Sequence, residues 1–240
     1  MFADQRLVIG CPLRGREWMI KPWFEAVVAS ATKTDINFCF AFVIDEGDGI
    51  APLVREYCYH YELPAYYVEF PPYMGPQQGV EHHWNVEKIQ YMVDLRNQLL
   101  ALVRNINPDF FFSLDSDIIL KENVIGDLLE ACSLYDAVGG KVYLAKQARL
   151  PSYGNLIREN LNMLRPDVDT LIPVDIIMAA KMMTKPAYMV DYKFEPRGED
   201  LGWSANVKDA GLKLGFDGRT VSKHIMDQSH LYSVDPRVGF

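Results

Sequence analysis

The chain has 240 residues, 49% of them hydrophobic and 23% charged, with a formal net charge of −8. That size and balance predict one large α/β domain, or two small ones, with a sizeable core. They exclude attachment to nucleic acid or anionic membrane mainly through a basic surface, though not a local basic groove, and no apolar run approaches the length of a membrane span.

Arg6–Pro12 (RLVIGCP) reads as the first strand, followed by a turn at Arg14-Gly15-Arg16. Glu17–Ser30 carries helical spacing through Trp18, Phe24, Val27 and Val28. Phe38–Ile44 is a second strand ending at Asp45, and Ile50–Tyr61 a helix with Leu53, Val54, Tyr57 and Tyr61 on one side. Ala65–Phe70 is a third strand. The long loop Pro71–Trp84 is kept out of the core by its Pro, Gly and Gln. Val86–Asn105 is a strongly periodic helix that Pro108 terminates, and Phe110–Leu114 is a buried strand running into Asp115-Ser116-Asp117. A helix over Lys121–Tyr135 and a strand over Ala137–Ala145 continue the alternation, which predicts a largely parallel sheet covered on both faces.

Beyond Ala145 the rhythm breaks. Gln147–Thr170 shows little periodicity, Leu171–Ala179 is apolar, and Lys185–Val190 is short and ambiguous. Gly198-Glu199-Asp200 opens a helix through Trp203, Val207 and Ala210, which Gly211 closes. Leu212–Asp217 and Thr220–His224 look like two short strands. Cys11, Cys39, Cys58 and Cys132 form no CxxC pair, so free thiols are expected rather than zinc or a disulfide framework. With an N-terminus that enters a strand without a signal peptide, this predicts a reducing, cytoplasmic location.

Two acids one residue apart at the end of a buried strand place hard oxygen ligands where open α/β sheets bind theirs, and suit a divalent cation carrying a phosphorylated ligand. Asp167-Val168-Asp169 repeats the spacing, but it follows Arg165-Pro166 without an apolar run and reads as a turn. Asp115 and Asp117 could equally cap the helix that follows.

The ordered set Asp115-Ser116-Asp117, Gly198-Glu199-Asp200-x-x-Trp203, Gly211 and His224 resembles the GT-A-fold glycosyltransferases, especially the family 2-like enzymes. Pro12-Leu13-Arg14-Gly15-Arg16 after the first strand and Arg96-Asn97 in the helix before the DxD strand are also similar to that group. The resemblance spans nearly the whole chain. It implies a single GT-A domain over 1–240, a mostly parallel sheet with a smaller mixed or antiparallel C-terminal portion. The nucleotide-binding half would end near residue 120 and the acceptor-binding half would follow.

It further implies a nucleotide-sugar donor, UDP-linked by family habit, with Mn²⁺ or Mg²⁺. Asp117 and His224 would be metal ligands, and Asp115 would reach the ribose or the metal. Asp200 would be the general base, with Glu199 orienting the acceptor. Acids in a first helical turn also suit the macrodipole without any catalysis, so spacing alone leaves that choice open. Asp45 would meet uracil or ribose, or is a turn acid. Arg14 and Arg16 would meet the pyrophosphate, or lie in a solvated turn. Arg96 would pair with the DxD region or the phosphates, or be an exposed helix charge. His82-His83-Trp84 lacks further ligands at metal spacing and reads as loop. Trp84 and Trp203 could stack on a ring or be buried.

A nucleotidyltransferase, or a non-catalytic nucleotide-sugar-binding protein, are the competing readings. The acceptor could be a saccharide, a small metabolite, a protein or a hydroxymethylated DNA base, the last not favoured by the charge. Loops Pro71–Trp84 and Gln147–Thr170 are the candidate lids. Oligomeric state is not legible.

Overall fold

Leu7, Val8 and Ile9 are fully buried, as a strand covered on both faces requires. They belong to β1 (Arg6–Leu13), the strand around which the rest is laid. The structure, a computed structural model, describes residues 2, 4–75, 85–144, 157–159, 162–164 and 168–232. From β1 the chain passes through α1 (Glu17–Ala31), β2 (Asn37–Asp45), α2 (Ile50–His60), β3 (Ala65–Phe70), α3 (Val86–Ile106) and β4 (Phe110–Ser113). Then come β5 (Ile118–Leu120), α4 (Val124–Ala131), β6 (Ala137–Leu144) and a small hairpin, β7 (Ile157–Glu159) with β8 (Asn162–Leu164). The last elements are β9 (Leu171–Pro173), β10 (Lys181–Thr184), α5 (Lys185–Tyr188), α6 (Glu199–Asp209) and β11 (Leu214–His224), with a 3-10 turn over Gln228–Tyr232.

The main sheet runs in the order β3-β2-β1-β4-β10-β6-β11-β5, with β9 also on β11. β3, β2, β1 and β4 are mutually parallel, as the βαβ alternation predicted. β10 is antiparallel to both β4 and β6, and β11 is parallel to β6 but antiparallel to β5 and β9. The expected class holds: helices flank a mixed sheet whose first half is parallel and whose C-terminal strands include the antiparallel pairs. Alternate residues of β1 feed two cores. Leu7, Ile9, Cys11 and Leu13 meet α1 and α2 through Trp23, Phe24 and Val54. Val8 joins Val93, Leu99 and Val103 of α3 on the opposite face. Asn85 caps α3 by accepting from Lys88 N, and Asn107 ends it in the left-handed conformation (φ 54).

Two expectations are corrected, and one segment left unassigned is resolved. The helix placed at Lys121–Tyr135 is only Val124–Ala131, because the β-branched pair Ile118-Ile119 starts a short strand that β11 recruits. The two short strands after Gly211 are one strand with a register shift between Asp217 and Ser222, the Gly218 region bending without breaking it. The apolar segment Leu171–Ala179 is strand only to Pro173, and the next strand begins at Lys181. Among the described residues no helix is long and apolar enough to cross a membrane.

Candidate active site

Parallel strands end on the same side of a sheet, so the residues just beyond β1, β2 and β4 are gathered without any further device. Arg14 and Arg16 follow β1, Asp45 closes β2, and Asp115 and Asp117 follow β4. Gly15 and Arg16 both take positive φ (55 and 53). For a non-glycine residue the left-handed region costs roughly 1–2 kcal/mol, and here it turns the Arg16 guanidinium inward. Its Nη1 donates to Asp117 Oδ2 at 2.5 Å.

The second partner of Asp117 comes from the far end of the chain. β5 and β11 pair so that His224 lies opposite Ile118, and Ile225 N donates to Asp117 O at 2.8 Å. His224 Nε2 then stands 3.1 Å from Asp117 Oδ2. Burial alone would raise the Asp117 carboxyl, but the hydrogen bond and charge of His224, with those of Arg16, bring it down to about 2. The carboxylate is therefore ionised at neutral pH, as a metal ligand must be.

An oxygen–imidazole pair at this separation fits a divalent cation, since neighbouring ligands at ~2.1 Å from an octahedral ion lie about 3 Å apart. Among the described residues no group of three or more His, Cys, Asp or Glu is placed to hold a metal. The protein's share would be these two donors, with the remainder from ligand phosphates and water.

Asp115 is turned the other way. Its Oδ1 accepts from Arg96 Nη2 at 2.6 Å, and Trp23 Nε1 donates to its backbone oxygen. Loss of solvent pushes the Asp115 carboxyl upward; Arg96 pulls against it, while Asp117 and Asp200 add to the rise. Arg96 is only 3% exposed, so it is a buried pairing residue and not a solvated helix charge. Its Nε lies 3.9 Å from Glu199 Oε1, which ties the strand-end acids to the start of α6.

Glu199 and Asp200 are both buried in the first turn of α6, behind Gly198 (φ 141). Burial, then the neighbouring Asp200 charge, pushes the Glu199 carboxyl up to about 7, with Arg96 opposing. Asp200 Oδ1 takes the ammonium of Lys181, a residue of β10 with no solvent exposure. Burial works against that ammonium, but Asp200 and Tyr192 outweigh it and Lys181 stays charged. The ammonium also lies 4.9 Å from the Tyr192 ring centroid and 5.0 Å from that of Trp203.

Asp45 forms a separate cluster at the end of β2. Tyr91 donates its hydroxyl to Asp45 Oδ1 at 2.7 Å, and Arg14 Nε lies 3.1 Å from Oδ2. Burial raises the Asp45 carboxyl, against the pull of Tyr91 and Arg14. The Tyr73 ring stands 5.4 Å from that of Tyr91, giving this end an aromatic wall.

All nine residues singled out from the sequence are thus found around one edge of the sheet, in two charge networks and the Asp45 cluster. Trp203 is fully buried, with Nε1 donating to Val190 O, and belongs to the core. Asp169 pairs with Lys141 away from the site. Asp167, His82, His83 and Trp84 lie outside the described residues, as does most of both long loops. Lys181, Tyr192 and Tyr91 were missed. Lys181 had a signal: it is the one charge in the apolar run Ile176–Met183 (IIMAAKMM).

No family model and no curated protein matches the sequence. Solved structures do match in fold. The inositol-1-phosphate CTP transferase from T. maritima is 12% identical with a TM-score of 0.56, over 97% of this chain and 94% of that one. GalNAc-T7, solved with UDP, GalNAc and Mn²⁺, is 9% identical with a TM-score of 0.60, over 92% of this chain and 44% of that one. S. aureus TarS 1–349 in complex with UDP-GlcNAc is 12% identical with a TM-score of 0.55, over 95% of this chain and 61% of that one. At such identities the likeness establishes a GT-A-like fold, and the chain spans less than two thirds of the two glycosyltransferase structures.

Proposed function

We propose that the protein is a single-domain transferase that moves a sugar from a nucleotide sugar, UDP-linked, to an acceptor hydroxyl with the help of Mn²⁺ or Mg²⁺. The observation that carries this reading is the bridge through Arg96, which joins Asp115 after β4 to the buried Glu199-Asp200 pair on α6. Asp115, two residues from the proposed cation ligand Asp117, and the acid pair that would supply the base are then held by one network. The two glycosyltransferases of similar fold, solved with UDP and Mn²⁺ or with UDP-GlcNAc, support the donor class.

In this reading Asp117 and His224 hold the cation, with Asp115 beside them. The cation, when bound, neutralises charge on the leaving diphosphate. Arg16 and Arg14 add positive charge at the same edge, where a diphosphate needs it. Asp45, with Tyr91, receives the nucleoside. Asp200 accepts the acceptor's hydroxyl proton as that oxygen attacks the anomeric carbon, and Glu199 orients the acceptor. The four cysteines are free in the structure, in keeping with a reducing cytoplasm. The acceptor is a saccharide or small molecule; a hydroxymethylated base in DNA fits the chemistry but not the net charge of −8.

The test is nucleotide release from a panel of nucleotide sugars with Mn²⁺. Release from a UDP-sugar that stops on chelation is expected; release from none, with no UDP binding in Mn²⁺, rejects the reading. Nucleotidyl transfer is the second reading, favoured by the near full-length likeness to the CTP transferase. It predicts pyrophosphate release from CTP or UTP. Leu13-Arg14-Gly15-Arg16 counts against it, having one glycine where a triphosphate-cradling loop wants several.

A further inference from the structure

We propose that Lys181 is a positioning residue that holds the Asp200 carboxylate in its working orientation; this rests on the glycosyl-transfer reading above. The step served is a displacement. The acceptor oxygen bonds to the anomeric carbon, the bond from that carbon to the diphosphate oxygen breaks with its electron pair leaving on the diphosphate, and the acceptor proton passes to Asp200.

An aspartate in the first turn of a helix has several staggered orientations open to it. α6 begins without a side-chain cap, so no cap orders this turn. The restraint comes from below. β10 is bonded on both edges, Lys181 facing Ser113 of β4 and Gly139 of β6, so its Cα is among the best anchored in the sheet. Its ammonium lies against both Tyr192 and Trp203, whose rings stack on each other at 5.7 Å and 26°. Both rings attract the ammonium, and the Tyr192 hydroxyl, kept neutral by burial, is a weaker oxygen partner for it than the Asp200 carboxylate. Its ion-pair partner is Asp200 Oδ1, while among the described residues Oδ2 accepts no hydrogen bond and remains for the acceptor proton. The other groups around Asp200 are Arg96 from α3, Asp115 after β4, Glu199 on α6 and the Tyr192 hydroxyl. Arg96 already serves Asp115, leaving Lys181 as the cation that orients Asp200.

A cation present merely to neutralise buried charge would act on stability; one that positions the base acts on turnover and only through Asp200. A double-mutant cycle separates these. Lys181→Met, Asp200→Asn and the double variant are compared for turnover, for UDP affinity by calorimetry, and in a crystal structure of Lys181→Met. Lys181→Met is expected to lower turnover about 100-fold. UDP affinity should change less than about threefold, and the loss should shrink to about twofold or less when Asp200 is already Asn. The Asp200 carboxylate should rotate away from its position in the wild type.

Full, multiplicative loss in the Asp200→Asn background overturns the proposal, as does an Asp200 that stays in place without Lys181. If Lys181→Met does not fold, Lys181→Arg replaces it in the cycle, keeping the charge but moving its centre, with the same suppression expected. If the wild type releases nucleotide from no sugar donor, the transfer reading fails on its own, and the crystallographic comparison still decides whether Lys181 holds Asp200.

Discussion

Asp117 is caught between a guanidinium and an imidazole that arrive from opposite ends of the chain. If it is a cation ligand, Asp117→Ala should remove the Mn²⁺-dependent part of UDP binding, by about tenfold or more, and leave the metal-free affinity nearly unchanged. Calorimetry with and without Mn²⁺ checks this, and equal losses in both conditions would argue for a merely structural acid. Glu199 permits a test that needs no ligand. Its carboxyl lies near 7 in the folded protein against 4.5 ordinarily, so the folded state binds that proton more tightly than the unfolded one. The resulting stability is complete below pH 4.5 and is lost as pH rises through 7. Glu199→Gln should therefore gain melting temperature relative to the wild type at pH 7.5 but not at pH 4.5. A difference independent of pH would mean that Glu199 is ionised throughout. The acids and His224 stood out because their order along the chain resembles that of a known enzyme group, and the structure places them close together. Arg96 was expected at the DxD region, phosphates or solvent, and the structure selects Asp115; the Lys181–Asp200 pair was not legible, because no local periodicity relates residues 19 apart.

Among the elements, α6 is held close to the backbone of a neighbouring segment. A Cβ on Gly202 would overlap the Lys193 carbonyl oxygen, a backbone atom that cannot swing aside. Helix propensity favours Ala over Gly by about 1 kcal/mol, whereas overpacking a tight contact costs about 1–3 kcal/mol. The clash should win. Gly202→Ala is expected to lower the melting temperature by a few degrees, about 2–4 °C per kcal/mol at this size, and to slow turnover because Asp200 shares the helix. A higher melting temperature would show that α6 can slide away from Lys193. The periodic elements α1, α2 and α3 were read to within a residue or two, since long amphipathic patterns survive their surroundings. β5 and β10 escaped: with three and four residues they contain no period to read, and their partners lie far off in sequence.

For the molecule as a whole, the four thiols report on the fold. Cys11 and Cys58 are buried, and burial raises the Cys39 thiol to about 11 and that of Cys132 to about 12. Native protein at pH 8 should react with a thiol reagent far more slowly than denatured protein, in which all four react. Reductant should leave the melting temperature unchanged; a fall would reveal a disulfide. Chain order and composition by themselves determined the parallel first half and the solvent-excluding strands, because burial and periodicity are properties of neighbouring residues. Tertiary structure alone decided which acid meets which cation. Antiparallel β10 carries Lys181 to Asp200 and β11, the partner of β6 and β5, carries His224 to Asp117, and strand order is set by packing between distant segments, which no local pattern encodes.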